Sequence, residues 1–397
     1  MRDRFTTIPG TSHTLPLVPL AHAALAAGHE VAFAASGPAL RAANAAGLQT
    51  IAAAGDEAAE PYEELIAKVT TSDLAQEFPG PKILPYVSGI FGEVGARLVE
   101  GVAEAARTWR ADAVVFPPNH VAGLLAARMT GLPAVLHGIG TPRPVFAPAL
   151  AYLEPVAARL GVDLPAPVAD VEIDLNPASL TAPSLGGPGG GGPAAAHRLP
   201  MRYTSYNGGA EIPPGLLGRG ERPRVAVTLG SLAALYGEGT MLREIVDGSA
   251  DLGIELVITT GGAELPALTG SLPPHVTCVD WVPLRTLLAS CDAIVHHGGM
   301  GSTFTAFDAG VPQLAIPLTG PESVSNGRVA ADRGTGIVLD PPLSVPLTAA
   351  TVKSSLHELL SNPAHRTAAA EVAAEMREMP APAATLVQLN ALLGGTA

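Results

Sequence analysis

The stretch "CDAIVHHGGMGSTFTAFDAGVPQLAIP" spans 291–317. Its apolar run up to Val295 reads as a buried strand. Two histidines and three glycines follow within "HHGGMGS" (296–302). The next segment predicts a short helix stopped at Gly310, and then another strand. The element is therefore strand, glycine loop, helix N-terminus. The first turn of a helix has unpaired N–H groups and a positive dipole end, so it attracts anions. Glycines let that backbone come close to a bulky phosphate. Ser302 can cap the helix and donate its hydroxyl, and His297 can add a proton or a charge. The pattern fits a phosphate cradle. It equally fits a tight turn that needs positive φ and two satisfied histidines. No Gly-Lys-Ser/Thr follows, so it is not a Walker A loop.

The same alternation extends outward. "RVAVTLGS" (224–231), "ELVITTG" (255–261), "VTCVDW" (276–281) and "QLAIPL" (313–318) predict strands with helical segments between. In the first third, "RFTTI" (4–8), "EVAFAAS" (30–36), "DAVVF" (112–116) and "PAVLHG" (133–138) do the same, with helices over 15–28, 38–46 and 121–131. This is the pattern of parallel α/β sheets. Residues 55–100 are less regular. Residues 181–197, "TAPSLGGPGGGGPAAAH", predict a mobile surface loop, because Gly and Pro at that density hold neither helix nor strand. A second such stretch, 207–223, reads as an interdomain linker.

The expected domains are 1–206 and 224–378, each Rossmann-like, with a helix over 379–397 returning to the first. In open α/β sheets ligands bind beyond the carboxyl ends of the strands. Two such edges facing each other make a cleft, with "PGTSH" (9–13) on one wall and "HHGGMGS" on the other.

The chain has 397 residues, 47% hydrophobic and 15% charged, enough for two cores. A net charge of −13 argues against nucleic acid as partner. No apolar run approaches membrane length, and the start lacks the apolar region of a signal peptide. The two cysteines, Cys278 and Cys291, offer no disulfide framework or metal knuckle and read as core residues. A cytoplasmic location is expected.

Over 224–340 and 5–35 the chain resembles family 1 glycosyltransferases of the GT-B fold, and is similar to bacterial enzymes that attach deoxysugars to polyketide antibiotics. The residues that carry the likeness are "VTLGS", "VDWVPLRTLLASCDAIVHHGGMGSTFTAFDAGVPQLAIPLTG", "SNGRVAADRGTGIVL" and "PGTSHTLPLVPLAHAALAAGHEV". The resemblance implies that His297, Gly298, Gly299, Gly301 and Ser302 hold the diphosphate of a nucleotide-sugar, with Ser231 as a second contact. It implies a base site at Trp281 and Val282, where a ring stacks on the nucleobase. It aligns Glu322 and Ser323 with a pair that holds the sugar hydroxyls, usually Asp-Gln. It makes His13 the catalytic base, and imidazole titrates near neutrality as that role requires. His296 matches no role and reads as structural.

The implied reaction is inverting and needs neither metal nor cofactor, the TDP-sugar being a co-substrate. The implied partners are the TDP-sugar donor and a hydrophobic acceptor; a homodimer is left open. Relatives orient the histidine with a carboxylate after the strand that here is "DAVVF". This chain has Pro117, Pro118, Asn119 and His120 instead. Either another carboxylate serves, or the base works unassisted on an acidic acceptor such as a phenol. In plant relatives a glutamate three residues after the loop serine binds the ribose. Thr305 stands there and cannot make that charge-assisted bond to a 2′-hydroxyl, which favours TDP over UDP. Phe78, Phe91 and Phe146 are candidate acceptor contacts, or core residues.

Rival readings are weaker. "DVEID" (170–174) alternates acids as a half-exposed strand does, rather than marking a metal-dependent transferase. "PGTSHT" (9–14) lacks the G-x-G-x-x-G of a dehydrogenase. A sugar-nucleotide epimerase on the same fold, and an auxiliary or binding protein without turnover, remain as alternatives.

Overall fold

A computed structural model of the chain describes residues 1–70, 83–141, 145–180, 194–230, 240–262, 272–317, 320–339 and 347–394. The chain divides into two units, Met1–Tyr206 with Met379–Ala397, and Asn207–Glu378.

The first unit holds a parallel sheet of β1 (Arg2–Thr6), β2 (Glu30–Ala35), β3 (Gln49–Ala52), β4 (Ala113–Phe116), β5 (Ala134–His137), β6 (Val168–Asp174) and β7 (Ala194–Pro200). Their spatial order is β3-β2-β1-β4-β5-β6-β7. The second unit holds β8 (Arg224–Thr228), β9 (Glu255–Thr259), β10 (Val276–Val279), β11 (Ala293–His296), β12 (Gln313–Ala315) and β13 (Gly336–Val338), in the order β10-β9-β8-β11-β12-β13. Both sheets follow the doubly wound order in which the first strand lies between the second and the fourth. The order reverses between β1 and β4 in one unit, and between β8 and β11 in the other. These are the switch points at which the loops splay apart. Strands β4, β5, β8 and β11 are buried along their whole length. Helices cover both faces of such a sheet, so its central strands read as continuous apolar runs.

Residues 55–100, which looked irregular, contain part of a 27-residue helix, Ile83–Trp109. A side chain at Gly92, Gly95 or Gly101 would run into Tyr152, Val121 or the Ala53 carbonyl. The glycines that weaken the helical signal are therefore what lets the helix approach its neighbours. The loop expected over 181–197 is corrected at its end: residues 194–197 belong to β7, paired in parallel with β6. Residues 181–193 lie outside the described residues. The "DVEID" acids fall on β6, where buried and part-exposed positions alternate.

The stretch 207–223, read as a linker, belongs to the second unit. Leu216 is buried in a cluster with Ala226, Val257 and Ile294, and the Arg224 guanidinium donates to the carbonyls of Gly215 and Gly218. The C-terminal helix Pro382–Leu392 lies on the first unit. Arg202 N–H donates to the Pro380 carbonyl at 2.8 Å, and Thr385 Oγ1 to the Pro200 carbonyl at 2.9 Å. Among the described residues no helix is long and apolar enough to cross a membrane.

Candidate active site

In the first unit the chain leaves β1 through Pro9 and Gly10 into a single helical turn, Thr11–Thr14, that carries His13. Thr14 Oγ1 donates back to the Gly10 carbonyl at 3.0 Å, which ties the turn closed. The His13 ring is held at both nitrogens. Nε2 lies 3.0 Å from the hydroxyl of Tyr62, whose ring stands edge-on to it, and Nδ1 lies 2.8 Å from Nδ2 of Asn119. Tyr62 comes from the helix Glu60–Thr70 and Asn119 from the loop after β4, so the pair His13–Asn119 spans the switch point.

Beside it His120 is fully buried. Thr6 Oγ1 donates to the Ala34 carbonyl, so it accepts the proton of His120 Nε2 at 2.9 Å. Burial pulls His120 down to about 3, and it is neutral. Sequence reading left open what orients His13. The structure gives two partners: Asn119, in the segment after "DAVVF" where the resemblance expects a carboxylate, and Tyr62, 49 residues away and beyond the reach of local pattern.

In the second unit the glycine loop follows β11 and enters the helix Met300–Ala309. Gly299, rather than Ser302, is the N-cap, and no side chain caps this end. Ser302 lies inside the first turn and is buried. The N–H groups of Met300, Gly301 and Ser302 sit where a helix has no acceptors of its own. Gly298 has φ +81°, and a Cβ there would lie 2.5 Å from the carbonyl oxygen of Ser323. A Cβ on Gly299 would strike the His297 ring. Around Gly301 a Cβ would meet nothing within 4 Å, so the backbone borders open space. The loop is thus shaped on one side by packing and open on the other.

His297 packs against Gly230, at the turn after β8, and is 7% exposed. Its Nδ1 is buried with no partner among the described residues. Burial pushes the ring down to about 4, against the Thr228 carbonyl and the Glu322 carboxylate, which favour the charged form. Of the two roles open to His297, a proton or a charge, burial favours the first: near neutrality the ring is uncharged. His296 is fully buried, its Nε2–H donating to Gln313 Oε1 at 2.8 Å and its Nδ1 accepting the Gly298 N–H at 3.0 Å.

The remaining predicted residues divide. Trp281 is exposed, with its indole N–H fixed to the Asn207 carbonyl at 2.9 Å, so one ring orientation is held at the surface. The Val282 side chain is in the core, which leaves its backbone for recognition. Glu322 is part-exposed in the first turn of the helix Gly320–Asp332, whereas Ser323 is buried against Gly298. Phe91 and Phe146 are core residues packed in one cluster, and Phe146 is fully buried, so neither is an exposed acceptor contact. Ser231 and Phe78 lie outside the described residues. Among the described residues no cluster of three or more His, Cys, Asp or Glu could hold a metal ion.

Two parallel α/β units, each with polar groups gathered at its switch point, have the two-domain architecture of the GT-B fold. The chain belongs to the EryCIII-like family, matching the models for the "Erythromycin biosynthesis protein CIII-like" N-terminal domain over residues 22–230 and C-terminal domain over 243–392. It is 35% identical to the elloramycin glycosyltransferase ElmGT of Streptomyces olivaceus, covering 99% of this chain and 98% of that one. It is 30% identical to the 10-deoxymethynolide desosaminyltransferase of Streptomyces venezuelae, covering 99% and 97%. Among solved structures it is similar to the glycosyltransferase SnogD from Streptomyces nogalater, with TM-score 0.79, 36% identity and 99% of each chain covered. The spinosyn rhamnosyltransferase SpnG complexed with thymidine diphosphate is 26% identical, with TM-score 0.78, covering 98% of this chain and 100% of that one.

Proposed function

We propose that this glycosyltransferase moves a deoxysugar from a TDP-sugar to a hydroxyl of an apolar, polyketide-type aglycone, with inversion and without a metal. One observation carries the donor half. The loop 296–302 packs the His297 ring against Gly299, the N-cap of a helix whose first-turn N–H groups have no acceptors within the helix, beside open space at Gly301. Such a site stabilises the charge that grows on a departing diphosphate. Trp281 presents a ring of fixed orientation for the base, and Glu322 is the candidate for a sugar hydroxyl. Ser231 keeps its role by resemblance. The hydroxyl of Thr305 donates to the Gly301 carbonyl at 2.6 Å from a fully buried position, so it does not serve a ribose. A donor without the 2′-hydroxyl suits such a site, because a desolvated, unmatched hydroxyl costs free energy. The solved relative SpnG has been complexed with thymidine diphosphate and with spinosyn aglycone, which supports the same pairing here.

In the reaction His13 Nε2 takes the acceptor's proton. The acceptor oxygen forms a bond to the anomeric carbon as the bond to the diphosphate oxygen breaks, and the electron pair leaves with TDP. The test is incubation with TDP-glucose and TDP-rhamnose against hydroxylated anthraquinone and macrolactone acceptors, in EDTA, followed by mass spectrometry and NMR of the product anomer. A product heavier by one sugar, of inverted configuration, is expected. No transfer to any acceptor, retention of configuration, or loss of turnover in EDTA contradicts the proposal.

A further inference from the structure

We propose that Asn119 is a positioning residue for His13, and that its amide selects which ring nitrogen is free to accept the acceptor's proton. This rests on His13 being the base. The 2.8 Å contact between Asn119 and Nδ1 comes from the strand neighbouring the one that leads to His13, so it is built into the switch point. Asn119 is 4% exposed, and its Oδ1 is buried without a partner among the described residues.

An amide offers a donor on one side and an acceptor on the other. With Nδ2 toward the ring, Nδ1 is the acceptor, and Nε2 carries a proton that points at Tyr62 Oη, 3.0 Å away. In that state Nε2 accepts nothing. A half-turn of the amide brings the orphaned Oδ1 against Nδ1. The ring then carries its proton on Nδ1 and turns the lone pair of Nε2 toward the hydroxyl position that Tyr62 Oη marks. That second state is the base. A carboxylate would enforce it at all times and would stabilise the imidazolium by charge; the amide orients the ring and adds no charge. Tyr62, from the helix Glu60–Thr70, touches the ring, and the neutral His120 stands beside Asn119, turned toward Thr6.

The experiment is 15N NMR of the full chain labelled in histidine, with the His13 signal assigned by its loss in His13→Gln. Asn119→Asp keeps the size of the side chain, so the fold is retained. Its expected effect is an Nδ1-protonated tautomer and a titration midpoint raised by about 1–3 pH units, as for a charge partner in contact. Because the base must be unprotonated, the acid limb of kcat/KM should move up with it. Asn119→Ala should lower kcat roughly 10²-fold, the scale of a misplaced catalytic group, with KM for the TDP-sugar unchanged. An unaltered midpoint and tautomer in Asn119→Asp, or an unaltered kcat in Asn119→Ala, overturns the proposal. Absence of sugar transfer by the wild-type chain strikes the proposed function instead, and the NMR titration still decides the role of Asn119.

Discussion

Both main-chain groups of Gly298 are held by side chains: its N–H donates to His296 Nδ1 at 3.0 Å, and its carbonyl accepts from Asn326 Nδ2 at 2.9 Å. The loop conformation is therefore fixed before any ligand arrives, and the first His of "HHGGMGS" is part of its frame. Replacing Asn326 by Leu leaves a buried carbonyl without its partner, a loss of about 1–3 kcal/mol. The expected outcome is a lower Tm and weaker TDP binding together. Calorimetry on the variant checks both, and an unchanged affinity would mean that the frame does not shape the site.

Gly298→Ala should be worse. The left-handed φ costs a residue with a side chain about 1–3 kcal/mol, and the new methyl meets the Ser323 carbonyl at 2.5 Å. Denaturant unfolding should show the loss, and nucleotide binding should fall with it. Wild-type stability and affinity in this variant would contradict the geometry of the loop.

Acid should destabilise the chain early. Burial lowers His120 and His296 to about 3, and His137 and His297 to about 4. The unfolded chain, with histidines near 6.5, then binds more protons than the folded one. Stability is full above pH 6.5 and falls as the pH drops toward 4. Each histidine contributes about 2 kcal/mol of loss at pH 5. A Tm series from pH 8 to pH 4 should slope downward from about 6.5, and His297→Gln should flatten it. A Tm constant down to pH 5 would show that these rings are not buried neutral.

Much of the fold was legible because the central strands of a sheet covered on both faces are apolar runs closed by Gly, Pro or Asn. "DAVVF", closed by Pro117, is such a run, and "CDAIV" is another, followed by two histidines before its glycines, which made the strand–loop–helix at 291–310 readable. The helix Ile83–Trp109 was not, because its glycines serve close approach and weaken the helical pattern. β7 was hidden by the glycine run before it. Of the partners of His13, Tyr62 was out of reach, since topology alone brings it there; Asn119 stood in the segment after "DAVVF" where the resemblance expects an orienting carboxylate, but an amide was not read as that group. Ser302 was misplaced by three residues: a serine near a helix start reads as a cap, but Gly299 is the N-cap and Ser302 falls in the first turn.

Thr305 offers a narrower check. Its hydroxyl is committed to the Gly301 carbonyl, so Thr305→Val should leave TDP affinity within about twofold, since a bond within the helix is worth about 1 kcal/mol or less to stability and nothing to the ligand. A large loss of TDP binding in that variant would place the hydroxyl at the nucleotide after all.

The measurement that bears most directly on the account is calorimetric titration of the chain with TDP and with UDP, repeated on His297→Ala. TDP should bind more tightly than UDP. His297→Ala should weaken TDP roughly tenfold or more, the scale of one lost charge-assisted hydrogen bond. Equal or tighter binding of UDP, or full TDP affinity without the His297 ring, would contradict the assignment of the 296–302 loop as the cradle of a TDP-sugar.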